Sequence, residues 1–417
     1  MTSRFPQPAP PPDRRSVEAY QVVCICGGYG FPLGNASASR IATVGKTLQT
    51  TGVPFSLLHC GPSPDPINTN RSGVYAGIPF QYTTTVTRPR NIVARAFVYL
   101  RALAGLAVRL LRLRKDRSNT LVYLYIGDGP MNLLVGSICR LIGLPVVQEL
   151  CEWILGEPGC SRFNRWLYKG AIFEQATGAL VISKAIEGRV RELRPRVNPK
   201  LLIHRLPAIV DARRFAAIPE RQCPQPPAIP EFVYCGTWLK DVFFLLRTFR
   251  LIRDKGFYCR LKFVGGWPSD KEQAIRTYMT ELGLAPDDVV MMGYVDDATL
   301  EECYRNATAL LAPLWDDDRS KTRLPNKLAE YLASGRPVVT CRVGDLTDFL
   351  TAGENVYLAE PGNAQDLADR MIDVLRDPER ASRVGAAGQE VCLSYLDYRA
   401  HARTLADFFS DCVRSKR

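Results

Sequence analysis

Residues 308–341 read TALLAPLWDDDRSKTRLPNKLAEYLASGRPVVTC. The ends are short apolar runs, Thr308–Leu314 and Pro337–Cys341, with the length and composition of strands buried on both faces. Between them Pro325 and Gly335 bracket a helix of about ten residues, since proline suits a first helical position and glycine the residue past the last. Strand, helix and strand in that order form a parallel βαβ unit.

The same alternation continues on both sides. Downstream of residue 230 the expected strands are Phe232–Gly236, Arg260–Gly266, Val289–Gly293 and Asn355–Glu360, besides the two already named. Upstream they are Tyr20–Cys26, Val53–Cys60, Thr120–Gly127, Leu144–Leu150, Gly178–Ser183 and Leu201–Val210, with helical patterns at Ala36–Thr50, Asn91–Leu113 and Ser183–Leu193. Residues 216–230 hold five prolines and read as a linker. The fold class is therefore α/β, with two parallel-sheet domains, 18–215 and 231–394. A chain of 417 residues agrees, at roughly 100–200 residues per domain. Ligands in open parallel sheets bind at the carboxyl ends of the strands, so the cleft between two such domains is the expected site.

Composition narrows the function classes. With 46% hydrophobic and 23% charged residues the chain is globular, and it has no uncharged apolar run of 18 residues that would read as a membrane span. Residues 1–17, with five prolines between Pro6 and Pro12, read as a disordered tail rather than a signal peptide. Thirteen scattered cysteines without a CxxC read as reduced thiols of a cytoplasmic protein, and three isolated histidines argue against a zinc site. Residues 1–230 hold 29 Lys+Arg against 13 Asp+Glu, whereas residues 231–417 hold 25 against 29. A cationic first half suits an anionic partner.

Two segments carry candidate chemistry. The first strand runs into Gly27-Gly28-Tyr29-Gly30-Phe31-Pro32-Leu33-Gly34-Asn35 and then a helix, an arrangement that lets backbone N–H groups approach an anion. The spacing only approximates a dinucleotide fingerprint, and the second strand ends Leu58-His59-Cys60-Gly61 without an acid, which weakens a nicotinamide or flavin reading. In the Pro325–Gly335 helix, the positive dipole end with Arg323 and Lys327 suits a diphosphate. Asn326 and Glu330 share a face, and Glu330 can accept hydrogen bonds from a sugar diol above that phosphate. Asp316-Asp317-Asp318 reads as a solvated acidic loop and implies no metal.

The helix segment resembles the signature of retaining, family-4-like glycosyltransferases of the GT-B fold, in which a Glu, seven residues and a second Glu precede a small-Gly-x-Pro-Val-Val turn. The second Glu falls on Glu330, the turn on Ser334–Val339, and the first Glu on Thr322, where this sequence departs. The resemblance implies two Rossmann-like domains, with the nucleotide sugar on the second and the acceptor on the first, and a last helix, 395–417, crossing back to the first. It extends to Phe232-Val233-Tyr234-Cys235-Gly236-Thr237, to Phe263-Val264-Gly265-Gly266 and to Met292-Gly293-Tyr294-Val295. It also covers Gly34-Asn35-Ala36-Ser37-Ala38 and Gly178–Ser183. By resemblance the donor-binding positions are Gly34, Asn35, Gly236, Thr237, Gly265, Tyr294, Val295, Thr322, Arg323, Asn326, Lys327 and Glu330. Thr237 replaces the family's usual cation, and Lys240 is the candidate for holding the leaving diphosphate. Glu149 and Glu152, at the end of the fourth expected strand, are candidates for orienting the acceptor hydroxyl; a purely structural carboxylate is the other reading.

These readings converge on a retaining hexosyltransferase of bacterial surface-polysaccharide type, moving sugar from a nucleotide-diphosphate-sugar to a saccharide or lipid-linked acceptor. No cofactor and no metal are expected. A non-catalytic sugar-nucleotide or glycan-binding protein of the same fold, or a nucleotide-sugar 2-epimerase, are the alternatives. In Asn91–Lys115, Arg95, Arg101, Arg109 and Arg112 fall within an arc of about 120° at 100° per residue, beside Leu100, Leu103, Leu106, Leu110 and Leu113. Such a helix suits the anionic inner face of a plasma membrane, and the lack of interleaved aromatics argues against nucleic acid.

Overall fold

The computed structural model describes residues 20–34, 36–153, 155, 160–216 and 229–416. The expected tail (1–17), Asn35 and most of the linker (217–228) lie outside the described residues. The chain divides into two compact units, one of Met1–Ile209 with Tyr398–Arg417 and one of Val210–Asp397.

The first unit is built on strands β1 (Gln21–Gly27), β2 (Phe55–His59), β3 (Ser72–Tyr75), β4 (Ile78–Tyr82), β5 (Thr120–Ile126), β6 (Val146–Leu150), β7 (Gly178–Val181) and β8 (Leu202–Arg205). Their order in the sheet is β3-β4-β2-β1-β5-β6-β7-β8. All neighbours pair in parallel except β3 and β4. That hairpin is an addition to the sequence reading. It turns at Ala76 (φ 51°) and Gly77 (φ 80°), two consecutive left-handed residues that match the right-handed twist of the strands they join. Helices α1 (Ala36–Gln49) and α2 (Ile92–Leu113) connect strands of this sheet. The last helix, Ala402–Arg414, packs on the same unit: the Tyr20 hydroxyl donates to the Ala406 carbonyl at 2.8 Å, and Phe408, Phe409 and Cys412 join the core. Gly178 permits this approach, because a Cβ there would lie 2.6 Å from the Cys412 sulfur.

The second unit carries β9 (Glu231–Cys235), β10 (Arg260–Val264), β11 (Val289–Met291), β12 (Ala309–Ala312), β13 (Val338–Cys341) and β14 (Tyr357–Ala359). Every pair is parallel and the order is β11-β10-β9-β12-β13-β14, the doubly wound arrangement that reverses direction between β9 and β12. The core strands are hydrophobic on both faces because helices cover both sides, as in β12 (ALLA) and β13 (VVTC), all buried.

The unit boundary corrects the sequence reading. Residues 210–215 belong with the second unit, not the first. The Val210 amide donates to the Leu396 carbonyl at 2.9 Å and the Ala212 amide to the Asp397 carboxylate at 3.1 Å. Arg214 pairs with Asp297 and Glu301, and Phe215 stacks on Tyr304. Proline content marks where the chain is stiff; these pairings decide which unit it joins. Twelve described cysteines are free, most of them buried.

Candidate functional site

The reversal between β9 and β12 leaves the carboxyl ends of these strands flanked by two helix starts, Leu239–Asp254 after β9 and Asn326–Ala333 after β12. Three loops are stitched together there. The Gly236 amide donates to the Val264 carbonyl at 2.9 Å, the Gly265 amide to the Gly293 carbonyl at 2.9 Å, and the Trp267 indole N–H to the Thr237 carbonyl at 3.1 Å. Gly236 (φ 155°) and Gly265 (φ 154°) take backbone conformations that disfavour side chains. A Cβ on Gly265 would sit 2.7 Å from the Gly236 carbonyl oxygen. Gly265→Ala is expected to cost about 1–3 kcal/mol of backbone strain and to displace the Gly236 loop. Thermal unfolding and nucleotide titration should then both worsen; an unchanged melt and affinity would show that the loop tolerates the shift.

The helix beginning at Asn326 follows Pro325, which occupies the cap rather than the first helical position, one residue earlier than the sequence suggests. It ends at Ser334 with Gly335 left-handed at φ 73°. First-turn amides lack intrahelical acceptors and carry the positive end of the dipole. Lys327 reinforces that end. Its Nζ lies 4.1 Å from the Tyr234 ring centre and donates to the Cys235 carbonyl at 3.3 Å. Burial pulls its pKa down to about 8, with Asp241 opposing the shift. Asp241 is itself held by the Tyr234 hydroxyl at 2.8 Å and the Trp315 indole at 2.9 Å. Lys240 sits at the start of the neighbouring helix, 3.7 Å from the Trp315 ring centre and 3.7 Å from the Asp317 carboxylate. An approaching anion would compete with that carboxylate for the ammonium.

Glu330 is half-buried one turn into its helix. The Tyr304 hydroxyl donates to its Oε2 at 3.3 Å. Burial raises its pKa to about 7, with Arg214 and the Tyr304 bond opposing. A carboxylate so placed gains by accepting hydrogen bonds from a neutral diol.

Several sequence candidates are placed differently from expectation. Thr322 is buried, and its hydroxyl donates to the carbonyls of Asp318 at 2.8 Å and Arg319 at 3.2 Å, closing the short helix Asp318–Thr322. Arg323 and Arg319 lie over the Trp238 ring, at 5.3 and 4.0 Å. The acidic triplet is not merely solvated: Asp317 caps that helix and pairs with Lys240, and Asp316 pairs with Lys321 at 2.5 Å. Tyr294 is exposed and Val295 half-buried just past Gly293 (φ 69°), next to the Gly265 loop. Asn326 opens its helix beside Lys327.

In the first unit, Gly34 is left-handed (φ 122°), and a Cβ on Gly30 or Gly34 would meet the Asp65 side chain. Leu33 is fixed by Asn68, whose side chain accepts from its amide at 3.0 Å and donates to its carbonyl at 2.9 Å. Glu149 corrects the reading of a rim carboxylate. It is buried in β6, where Arg40 pairs with it at 3.1 Å, the Tyr123 hydroxyl donates at 2.5 Å and the Cys151 thiol at 2.8 Å. Glu152 is exposed at the bend beyond β6. Sequence reasoning missed Tyr234, Asp241, Tyr304 and Trp315; the aromatics directly preceding Cys235 and Asp316 were the available signal. Among the described residues no group of three or more His, Cys, Asp or Glu could hold a metal ion.

Residues 229–377 match the family described as glycosyl transferases group 1, and this stretch contains every residue of the second-unit site except Arg214. A trehalose phosphorylase of Grifola frondosa is 32% identical over 95 residues, 23% of this chain and 12% of that protein. A sulfoquinovosyl transferase of Arabidopsis thaliana is 26% identical over 159 residues, 37% of this chain and 28% of that protein. The matches thus span well under half of either curated relative. Among solved structures, sucrose-phosphate synthase from Thermosynechococcus elongatus superposes with TM-score 0.70 at 18% identity, over 95% of this chain and 100% of that one. Anabaena HepE in complex with UDP gives 0.68 at 14%, over 94% and 100%. The lipopolysaccharide outer core galactosyltransferase WaaB gives 0.60 at 17%, over 95% and 100%. The chain has the GT-B fold, and within it residues 229–377 are similar to the glycosyl transferases group 1 family.

Proposed function

We propose that the protein is a retaining glycosyltransferase that moves a hexose from a nucleotide-diphosphate-sugar to a saccharide or lipid-linked acceptor, in the building of a cell-surface polysaccharide. The observation that carries the reading is the Asn326–Ala333 helix at the sheet's reversal point, with Lys327 at its start and Glu330 one turn on, inside the stretch similar to the group 1 family. The helix-start amides, Lys327 and Lys240 hold the diphosphate, and Glu330 accepts from the ribose hydroxyls. As the bond from the sugar's anomeric carbon to the diphosphate breaks, these groups stabilise the charge gathering on the departing oxygen. The acceptor hydroxyl attacks from the leaving-group face, and its proton passes to a phosphate oxygen. No protein base is then needed, which suits a Glu149 already engaged by Arg40, Tyr123 and Cys151. Beyond donor and acceptor this chemistry calls for no cofactor.

The test is incubation of the full chain with a panel of nucleotide sugars and saccharide acceptors, starting from UDP-glucose because HepE was solved with it. Release of nucleoside diphosphate together with an acceptor-dependent glycoside of unchanged anomeric configuration is expected. Inverted product would reject the retaining mechanism. Turnover of the donor to its 2-epimer without acceptor would replace the transferase reading. A second reading is favoured by Thr322, whose hydroxyl is spent on its own helix: a sugar-nucleotide-binding protein without turnover. Tight donor binding with no product across the panel would select it.

The basic first half goes with a further proposal, that the enzyme works from the cytoplasm as a peripheral protein on an anionic membrane surface met by Arg95, Arg101, Arg109 and Arg112. No described helix is long and apolar enough to cross a membrane.

A further inference from the structure

Between Asp65 and Asp116 the chain has no acidic residue, yet it has nine basic ones: Arg71, Arg88, Arg90, Arg95, Arg101, Arg109, Arg112, Arg114 and Lys115. This stretch holds α2 and the β3–β4 hairpin. The fold brings four of the arginines to one place. A groove of about 370 Å³ is lined by Arg71, Arg101, Arg109 and Arg112, with Thr83 and Gly105 in its wall. Gly105 brings the helix close, since a Cβ there would lie 2.7 Å from the Thr83 carbonyl. Arg71 enters from just before β3, so the groove is not a property of one helix face alone. Among the described residues none of the four forms an ion pair. Arg95 is not part of the groove; it donates to the carbonyls of Pro89 and Arg90 at 3.2 Å.

Among the described residues the same helix carries an apolar face left largely exposed. Ile92 is 77% exposed, Val93 71%, Phe97 74% and Leu100 64%; Val108 and Leu111 are about half exposed. Leu106 and Leu110, which the sequence sets beside the arginines on the helix, are buried in the unit's own core. At 100° per residue, Val93, Phe97, Leu100, Val108 and Leu111 form a stripe about 80° wide, and Arg101, Arg112 and Arg109 occupy the next 80° or so. The apolar stripe and the cationic groove therefore adjoin along the helix axis. A nucleic acid or an acidic peptide would satisfy the arginines but leave the stripe in water. A bilayer surface satisfies both, with the stripe among acyl chains and the arginines at phosphate depth.

We infer that the groove formed by Arg71, Arg101, Arg109 and Arg112 is a binding site for the phosphate of a membrane lipid headgroup, seated while the exposed stripe of α2 enters the apolar layer. This deepens the membrane proposal of the preceding subsection and rests on it. It replaces diffuse attraction to an arc of charge by one phosphate held in one groove.

Sedimentation of the full chain with phosphatidylcholine vesicles, with and without a fifth of phosphatidylglycerol or phosphatidic acid, tests it. Binding should require the anionic lipid; equal binding to neutral vesicles, or none to any, would overturn both the groove and the membrane reading. The triple variant R71Q/R101Q/R112Q should weaken binding about a hundredfold, from about fivefold per basic residue. A triple variant that binds normally would leave the membrane reading standing and overturn the groove. The paired variant Phe97→Ser with Leu100→Ser should weaken binding at least tenfold while its melting temperature stays at or above that of the parent. Inorganic phosphate should displace the protein from vesicles more than sodium chloride of equal ionic strength; equal displacement would reduce the effect to screening and overturn the groove. A dimer in solution that Phe97→Ser dissolves would assign the face to a second copy and likewise overturn the proposal.

Discussion

Glu330→Ala lowers affinity for the free nucleoside diphosphate by about a hundredfold, close to abolition in a calorimetric titration. Two hydroxyls donating to a carboxylate are worth about 1.5–3 kcal/mol each when the acceptor is charged, and part of that is returned as lost hydration. The pH dependence identifies the carboxylate as the cause. Glu330 has its pKa raised to about 7 by burial, so near neutrality it carries a proton for much of the time. Only the ionised form can accept from both hydroxyls. Affinity should therefore rise with pH up to about 7, weakening by at most tenfold per pH unit below, and fall again above about 8 as Lys327 gives up its proton. Glu330→Gln should bind with intermediate strength and without the rise below about pH 7. Stability runs the other way. The folded protein holds a proton that an unfolded glutamate releases near its ordinary pKa, so the wild-type carboxyl costs stability as pH rises from that value through about 7. Glu330→Gln should accordingly unfold at a higher temperature than the parent at pH 8, and at about the same temperature at pH 4. A variant that loses binding while gaining stability is the mark of a functional carboxylate; loss of both would make Glu330 a structural residue, and unchanged affinity of Glu330→Ala would remove it from the site.

The parts of this arrangement that sequence made legible are those written in consecutive residues. Pro325, Gly335 and the two apolar runs around them specify a βαβ unit locally, and that unit carries Lys327 and Glu330 with it. The β3–β4 hairpin was illegible because Gly73, Ala76, Gly77 and Pro79 interrupt the alternation that marks a strand. The seating of residues 210–215 depends on Leu396 and Asp397, more than 180 positions away, and no local signal reports it. The same holds for the groove: the arginine arc of α2 could be counted from sequence, but Arg71 joins it only through the fold, and only the fold tells which leucines are already buried. Thr322 shows the limit of matching a motif. The position aligns with a carboxylate, while the backbone of a five-residue helix claims its hydroxyl.

Glu149 was the case in which a carboxylate's identity suggested chemistry and its surroundings assign a different task. Arg40 and Glu149 are both almost fully buried, and the guanidinium also donates to the carbonyls of Leu206, at 2.9 Å, and Pro207. The pair thus ties α1 to β6 and to the chain leaving β8. Arg40→Met should destabilise the first unit by about 3–5 kcal/mol, because it strands a charge and two carbonyls in the core. Glu149→Leu alone should cost a similar amount by stranding the guanidinium. The double variant should recover the part of either loss that comes from a buried unpaired charge, although the Leu206 and Pro207 carbonyls still lack their donor and the Tyr123 hydroxyl its acceptor. Urea unfolding of the full chain, followed by a probe in each unit, measures these differences. Nucleotide affinity, taken well below the transition, should change by no more than about twofold in all three variants, since Lys240, Lys327 and Glu330, which carry the proposed nucleotide site, lie in the other unit. The outcome also decides the role of Glu149 in transfer. A double variant that is stable and still transfers sugar makes the carboxylate a strut of the first unit; one that is stable, binds nucleotide and has lost transfer alone would return Glu149 to the acceptor's side of the chemistry.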